Sequence, residues 1–103
     1  MLQIDDVDRL AETLSGVRRT TERGQARWGC HGRLVARQID DTHVVFRAAF
    51  DVRDLLLQQF PETFSVPVRY RKHMMVVADL ANGDAGAIED ALVAAWQLQR
   101  SAG

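Results

Sequence analysis

The stretch Gln25–Ala48, QARWGCHGRLVARQIDDTHVVFRA, decides the fold because it predicts three consecutive β-strands. Two dipeptides inside it, His31-Gly32 and Asp40-Asp41, suit the two-residue loops of β-hairpins. The strands expected between and around these loops are Gln25–Cys30, Arg33–Ile39 and Thr42–Ala48. The sequence therefore predicts an antiparallel meander of three strands near the middle of the chain.

The two predicted loops imply strand registers that can be checked against each other. A loop at Asp40-Asp41 pairs Val35 with Phe46, and a loop at His31-Gly32 pairs Trp28 with Val35. One face of the meander then carries the large apolar residues Trp28, Val35, Ile39, Val44 and Phe46. The other face carries Arg27, Leu34, Ala36, Gln38, His43, Val45 and Arg47. One apolar face indicates a sheet that is covered on one side only.

Three amphipathic helices are predicted from apolar residues that recur every three or four positions. Each begins at an aspartate able to cap the first turn, namely Asp5, Asp51 or Asp84. Gly16 follows the first helix and Pro61 the second, and both are residue types that end helices. The expected buried stripes are Val7, Leu10, Ala11 and Leu14; Val52, Leu55, Leu56 and Phe60; and Ile88, Ala91, Leu92, Ala95 and Trp96.

Three more strands complete the predicted sheet. The polar segment Arg18–Glu22 is typical of an edge strand, with Arg23-Gly24 as the turn that follows it. Two prolines flank Thr63–Val66 and leave room for one short edge strand there. Met74–Leu80 alternates its side chains as a strand does. The order α-β-β-β-β-α-β-β-α predicts one two-layer α+β domain over residues 1–103, an antiparallel sheet with helices on one face.

The composition is that of a globular domain and excludes several other classes of protein. Hydrophobic residues make up 47% and charged residues 26% of the 103 residues, which excludes a disordered chain. No apolar run approaches the roughly 20 residues of a membrane-spanning helix, and the acidic start is unlike a signal peptide. The single Cys30 excludes an internal disulfide and a cysteine-built zinc site. These features predict a cytoplasmic protein with no membrane contact and no cofactor.

Positive charge is concentrated in two segments, although the net charge of the chain is −1. Residues 16–39 carry six arginines against one glutamate, and residues 67–73 carry three cations and no acid. Such clusters can neutralise nucleic-acid phosphates, so a DNA-binding surface is the leading hypothesis. The predicted binding residues are Arg69, Tyr70, Arg71, Lys72 and His73, with Arg33 and Arg37 as secondary donors. Tyr70 is expected to contact a base or a sugar. The alternative is a solvated surface that balances acidic helices.

Four short motifs occur in a recognisable order along the chain. They are Gly32-Arg33 before the apolar Leu34–Ala36, then Phe60–Phe64, then Arg69–His73 before a hydrophobic strand, and finally Ala95-Trp96. With this order of motifs and elements, the chain resembles the MmcQ/YjbR family of small bacterial proteins of unknown function. The resemblance implies a fold similar to that of type III secretion chaperones and a DNA-binding role. Arg33 stands where the family often has a lysine, which keeps the charge but replaces a point-like ammonium.

Association with another protein is the second hypothesis. The outer face of the predicted sheet includes Leu34, Ala36 and Val45, and it is extended by Met75 and Val77. A patch of this kind is more apolar than solvent contact requires and often marks an interface. The chain would then be a chaperone-like homodimer or would bind a protein partner. The alternative is that the last helix or a loop covers the patch.

An enzymatic role is the least favoured hypothesis. Cys30 and His31 are neighbours at a strand edge, so their side chains point to opposite faces and do not form a thiol–imidazole pair. A buried, inert Cys30 is expected instead. His31, His43 and His73 lack the local spacing of metal ligands, and no paired carboxylates or phosphate-binding glycine loop occurs. The sequence therefore predicts a non-enzymatic binding protein.

Overall fold

Residues 1–101 are described by the computed structural model, and they form one six-stranded antiparallel sheet and three α-helices. The helices are α1 (Ile4–Glu12), α2 (Phe50–Gln59) and α3 (Ala85–Ser101). The strands are β1 (Val17–Glu22), β2 (Gln25–Cys30), β3 (Arg33–Gln38), β4 (His43–Arg47), β5 (Phe64–Ser65) and β6 (Met75–Asp79). A short 3-10 helix, Val68–Tyr70, lies between β5 and β6. The predicted α+β class and the predicted order of helices and strands are confirmed.

The strands lie in the order β1-β2-β3-β4-β6-β5, and every neighbouring pair is antiparallel. β1 and β5 form the two edges, as predicted from the polar composition of one and the prolines around the other. β5 is two residues long. The N–H groups of Thr63 and Phe64 donate to the Phe60 carbonyl in the turn that precedes β5, and Pro67 has no N–H to extend the ladder beyond it. β6 pairs with both β4 and β5, so the last strand lies inside the sheet.

Two hairpin loops have the predicted length of two residues. Arg23 and Gly24 have φ angles of 53° and 77°, and His31 and Gly32 have φ angles of 52° and 82°. Two consecutive residues with positive φ form the turn that matches the twist of the flanking strands. Glycine takes the second position of each loop because it adopts positive φ without steric cost.

The loop between β3 and β4 is one residue longer than predicted. The Ile39 N–H donates to the His43 carbonyl at 2.9 Å, which leaves three residues in the loop. The Asp40 carboxylate accepts from the Thr42 N–H at 2.9 Å and stabilises this shape. The prediction of a two-residue loop is therefore wrong, because a side-chain hydrogen bond to the backbone selects the longer turn.

Cys30 pairs with Arg33 as predicted. The β2–β3 register beyond the bulge and the β3–β4 register each differ from the prediction by one residue, and the two differences partly cancel. The longer loop pairs Phe46 with Ala36 rather than with Val35. A β-bulge in β3 inserts Val35 as an extra residue, so that Trp28 also pairs with Ala36. Trp28 and Phe46 consequently share the helix-covered face, as predicted. Ala36 and Ile39 lie on the faces opposite to those predicted, Ala36 in the core and Ile39 on the outer face.

The N-caps predicted for the first two helices are wrong. α1 begins after Gln3, whose backbone N–H donates to the Asp6 carboxylate at 2.8 Å, so Asp5 lies inside the first turn. α2 begins after Ala49, and Asp51 lies inside its first turn. An aspartate stabilises either position, because both are near the positive end of the helix dipole. Composition alone therefore leaves the start uncertain by one or two residues.

The start of α3 is as predicted, whereas the buried stripe of α2 is not. Asp84 precedes α3, and its Oδ1 accepts from the Ala87 N–H at 2.8 Å. In α2 the predicted core residue Leu55 is half exposed, and Leu57 packs against the core together with Leu56. α2 contains no fully buried residue, so it covers the sheet less closely than α3 does.

The core lies between the three helices and one face of the sheet, which is called the inner face below. Its largest fully buried side chains include Trp28, Phe46, Leu80, Ile88 and Leu92. Cys30 is also fully buried, which confirms the prediction that it is a core residue. None of the helices within residues 1–101 is both long and apolar enough to cross a membrane.

A second, smaller apolar cluster lies on the opposite face, called the outer face below. Tyr70 of the 3-10 helix packs there against Val45 and Val77. The partly buried residues around them are Ile39, Val66 and Met75. Because Val45 and Val77 are buried and Ala36 belongs to the core, the exposed apolar patch predicted on this face is wrong. The homodimer or protein partner inferred from that patch stays a prediction.

Candidate anion-binding cleft

The part of the outer face next to the 3-10 helix forms an open cleft of about 500 Å³. Its lining comes from β1, β2, β3, the β1–β2 turn and the 3-10 helix, and consists of Glu22, Arg23, Gln25, Arg27, Arg37, Gln38, Ile39, Arg69 and Tyr70. Four of these residues are arginines and one is an acid. The cleft is therefore strongly cationic in a chain whose net charge is −1.

The register of β2 against β3 brings two of the arginines together. Arg27 and Arg37 are directly paired across these strands, so their side chains leave the sheet on the same face. The bulge at Val35 sets this pairing, because it shifts β3 by one residue beyond Gly29. A Cβ atom at Gly29 would lie 2.8 Å from Arg27 Nη1, so the glycine leaves space for the guanidinium.

Tyr70 orients the other side of the cleft. Its ring is buried, with 7% of the residue exposed, and its hydroxyl accepts from Arg37 Nη2 at 3.0 Å. The Arg69 guanidinium lies over the same ring, 4.8 Å from its centroid. The ring packs between the sheet and Arg69, so no ring face is open for stacking on a base, and the predicted contact of Tyr70 with a base or a sugar stays a prediction. Tyr70 holds two guanidinium groups in place.

The charges within the cleft are poorly balanced. Arg27 Nε lies 3.8 Å from Glu22 Oε1, and this is the one salt bridge within residues 1–101 that involves the cleft. Like charges paired directly across two strands destabilise a sheet. Arg37 Nε and Gln25 Oε1 are buried without a hydrogen-bond partner, two of four such atoms in the described chain. The cleft therefore holds an excess of positive charge.

The structure divides the predicted binding residues into three groups. Arg37, Arg69 and Tyr70 meet in the cleft. Arg71, Lys72 and His73 are exposed and form the turn that follows the 3-10 helix, called the basic turn below. Arg33 lies apart from both groups, since its Nη1 is 3.5 Å from the Gln99 carbonyl of α3.

The backbone of the basic turn is held by a residue that the sequence reasoning missed. Arg53 of α2 donates from Nη1 to the carbonyls of Tyr70, Arg71 and His73 at 3.4, 3.2 and 2.8 Å. The side chains of Arg69, Arg71 and Lys72 form no salt bridge within residues 1–101. The half-buried Arg53 thus fixes the turn that exposes Arg71 and Lys72 to solvent.

Arg23 and Gln25 of the cleft were also missed by the sequence reasoning. Arg23 was assigned to a turn by its neighbour Gly24, and the turn signal carries no information about where its side chain points. Arg27 was placed on the outer face, but its pairing with Arg37 depends on the bulge. Gly29 was the available signal, since a glycine inside a strand often marks a bulge or a close approach.

The residue types that commonly bind metals or act as nucleophiles are dispersed over the part of the chain that the structure describes. Within residues 1–101, no three side chains of His, Cys, Asp or Glu type are grouped so that they could hold a metal ion. Cys30 is buried in the core, whereas His31 is exposed on a hairpin turn. What the cleft can do chemically is bind an anion through several guanidinium groups.

A second concave surface lies on the helical side of the molecule. It is an apolar groove of about 490 Å³ between α2 and α3, above β6. Val52 and Leu56 line one wall, Ala94 and Leu98 line the other, and Val76 lies at the floor. The groove exists because α2 packs loosely on the sheet, as its lack of fully buried residues indicates.

No family model, no curated protein and no solved structure matches the chain. The resemblance to MmcQ/YjbR proteins stays a prediction based on the short motifs. The geometry and the charge of the cleft and of the basic turn are the observations that bear on function.

Proposed function

We propose that this protein is a non-enzymatic nucleic-acid-binding module, with DNA as its ligand class. It would hold the phosphate backbone through the cleft and the basic turn. The observation that carries the proposal is the convergence of Arg23, Arg27, Arg37 and Arg69 on one open cleft with a single acid. The adjoining basic turn adds Arg71 and Lys72, which follow directly in the chain.

The number of cations is sufficient for this function. Each phosphate that an arginine or lysine neutralises releases a condensed counterion, and this release supplies much of the binding free energy at low salt. Arginine suits the role because its planar guanidinium donates two parallel hydrogen bonds to phosphate oxygens. With about four phosphate contacts, the affinity would fall roughly a hundredfold between about 50 and 200 mM salt.

The distribution of the acids also supports this function. α1 carries Asp5, Asp6, Asp8 and Glu12, and the exposed side of α3 carries Glu89 and Asp90. These helices cover the inner face of the sheet, so the negative charge lies on the side opposite the cleft. A duplex would be repelled from the helical side and attracted to the outer face, which would orient the encounter. The resemblance to MmcQ/YjbR proteins points to the same ligand class.

The test is a fluorescence-anisotropy titration of unrelated DNA duplexes at two salt concentrations. The Arg69/Arg71/Lys72→Gln variant should bind at least tenfold more weakly than the wild type at low salt, and its salt dependence should be shallower. The Arg9/Arg19/Arg100→Gln variant is the matched control, because it removes the same charge from the helical side. No binding of the wild type at low salt, or equal losses in both variants, would refute the proposal.

Association with a protein is the second candidate function, and the apolar groove between α2 and α3 is the observation that favours it. Leu55 of α2 is half exposed beside the groove wall formed by Val52 and Leu56, so apolar surface continues along this helix. Multi-angle light scattering over a range of concentrations tests self-association. A dimer that is insensitive to salt and weakened by Leu55→Glu would support it, and a monomer at every concentration would exclude a homodimer through this surface.

A further inference from the structure

We propose that the cleft is a subsite for a phosphomonoester dianion, such as the terminal phosphate of a nucleic-acid strand or the phosphate of a mononucleotide. The inference deepens the proposed function and rests on it where the ligand is a strand end. It goes further by naming the group that the cleft selects. The basic turn would then serve the internal phosphates, and the cleft would serve the end.

The first argument is the density of charge. Arg27 and Arg37 are directly paired on neighbouring strands, and Arg69 reaches the same cleft from the 3-10 helix. An internal phosphodiester carries one negative charge, whereas a phosphomonoester carries nearly two near neutral pH and exposes three acceptor oxygens. Several cations focused on one place therefore match a terminal phosphate better than a linear backbone, which distributes its charge along the strand.

The second argument is preorganisation. Tyr70 fixes Arg37 through a hydrogen bond of 3.0 Å and supports Arg69 through its ring. A guanidinium that is already oriented loses less conformational entropy when it binds a planar pair of oxygens. Arg37 lines the cleft and forms no salt bridge within residues 1–101. An anion in the cleft would provide acceptors to this side chain and would relieve the repulsion between Arg27 and Arg37.

The third argument concerns the rest of the ligand. A cleft of about 500 Å³ is larger than a phosphate and lies within the usual range for small-molecule sites. Gln25 and Gln38 also line the cleft, and their side-chain amides are of a type that bonds a hydroxyl near a bound phosphate. The Tyr70 ring is covered, so it provides no platform for a base. The site is therefore expected to recognise phosphate and sugar with little preference among bases.

The test compares single-stranded oligonucleotides of one sequence that carry a 5′-phosphate, a 3′-phosphate or hydroxyl groups at both ends. One phosphorylated form should bind the wild type at least tenfold more tightly than the form without a terminal phosphate. The difference should shrink below about pH 6, where the second proton returns to the phosphate. Measurable but equal affinities for all three forms would overturn the assignment of the cleft to strand ends and would leave the backbone proposal intact.

Two variants separate the subsite from the general attraction of cations. Arg37→Lys keeps the charge but loses the planar fork, so it should abolish the preference for a terminal phosphate. Lys72→Gln in the basic turn should weaken all three oligonucleotides by the same factor and keep the preference. Thermal unfolding checks that both variants are folded, and Arg27→Lys replaces Arg37→Lys if the latter is not. A preference unchanged in the folded arginine variant would overturn the inference.

Isothermal titration with a nucleoside monophosphate, the parent nucleoside and inorganic phosphate identifies the source of the dianion. Binding of the monophosphate but not of the nucleoside supports the subsite. If the monophosphate binds while no oligonucleotide shows salt-dependent binding, the subsite stands and the proposed nucleic-acid function fails. If neither the monophosphate nor a phosphorylated strand end binds more tightly than its unphosphorylated form, the subsite fails.

Discussion

The inner and outer faces of the sheet differ in the burial and in the charge of their side chains. Trp28 is 1% exposed on the inner face, and its Nε1 donates to the Asp8 carboxylate of α1 at 2.7 Å. Arg27, its neighbour in β2, is partly exposed in the cleft of the outer face. Strand geometry alone sends consecutive side chains to opposite faces. Alternate residues of one strand therefore contribute to stability on the inner face and to the proposed binding on the outer face.

The bulge is what keeps this assignment consistent along β3. Val35 and Ala36 are consecutive and both belong to the core on the inner face, which a regular strand would not allow. The extra residue lets β3 contribute two side chains to the core before Arg37 returns to the outer face. Without it, Arg37 and Arg27 would not be paired.

The largest effect is expected at the inner face. Trp28→Ala removes a fully buried ring and a hydrogen bond to Asp8, so the free energy of unfolding should fall by about 3–5 kcal/mol. Arg18→Ala, on the exposed edge strand β1, is the control and should change it by less than about 0.5 kcal/mol. Urea denaturation measures both values. Similar losses in the two variants would contradict the contrast between the faces.

The second largest loss of stability is expected at Gly83, where the chain between β6 and α3 approaches other backbone closely. A Cβ atom at Gly83 would lie 2.4 Å from the Asp79 carbonyl oxygen and 2.7 Å from Thr63 Cγ2. Gly83→Ala should therefore cost about 1–3 kcal/mol, because backbone must move to admit the methyl group. Gly86→Ala is the control, since its nearest contact would be 3.4 Å. Thermal unfolding that shows equal losses would argue against this packing.

On the outer face, the Tyr70 hydroxyl connects the small apolar cluster to the cleft. Tyr70→Phe keeps the ring but removes the acceptor of the Arg37 hydrogen bond, so stability should fall by about 0.5–1.5 kcal/mol. The variant should also weaken the preference for a terminal phosphate, because Arg37 is no longer oriented. Urea denaturation and the oligonucleotide titration measure the two effects. A stability equal to that of the wild type would show that the bond contributes nothing.

A turn at the end of β6 should give a smaller effect that depends on pH. Hydrogen bonds to its carboxylate lower the pKa of Asp79 below its ordinary value. The largest contribution comes from the Asn82 side-chain amide, and smaller ones come from the backbone N–H groups of Asn82 and Ala81. A carboxyl whose pKa is lowered on folding stabilises the protein above its unfolded pKa, and this contribution is lost as the pH falls through the folded pKa. Asp79→Asn should cost less than about 1 kcal/mol at pH 7, because the group is near the surface.

The check is to measure the unfolding of wild type and Asp79→Asn at pH 7 and at pH 3. The difference in the free energy of unfolding should be present at pH 7 and should be smaller at pH 3, because the contribution of the ionised carboxylate declines once the pH falls below the unfolded pKa of Asp79. A difference of the same size at pH 7 and at pH 3 would contradict a stabilising contribution from the charge of Asp79.

The smallest predicted change in stability is an increase. Arg27→Gln removes one of two directly paired like charges, so it should raise stability by about 0.2–0.5 kcal/mol at low salt. The gain should disappear at high salt, where the repulsion is screened. Glu22 loses its partner at 3.8 Å, but that exposed pair contributes little. A loss of stability at low salt would show that the arginines of the cleft are not in conflict.

Local signals predicted much of the fold. Asp84 is predicted as a cap because it precedes an amphipathic stripe, and the Arg23-Gly24 and His31-Gly32 loops because each glycine lies between two strand-like segments. The errors in element boundaries and strand registers are of one or two residues. They occur where two candidate arrangements differ little locally, as at Asp40 and at Val35, and where packing selects between them.

The candidate site was predicted less completely than the fold. Arg37, Arg69 and Tyr70 were named from the sequence and do meet in the cleft. Arg33 was also named, but it lies near α3, because the two ends of β3 are separated by the length of the strand. Gly29 carried information about the bulge, and no pattern of charge carried information about Arg53.

The sequence by itself determined the order of the elements, the edges of the sheet and the abundance of arginine in two segments. Those properties follow from periodicity, turn residues and composition, which act over a few neighbouring positions. The tertiary structure alone decided which cations meet. A shift of one residue moves every side chain of a strand to the other face, and that shift depends on how β3 packs between its neighbours and the helices.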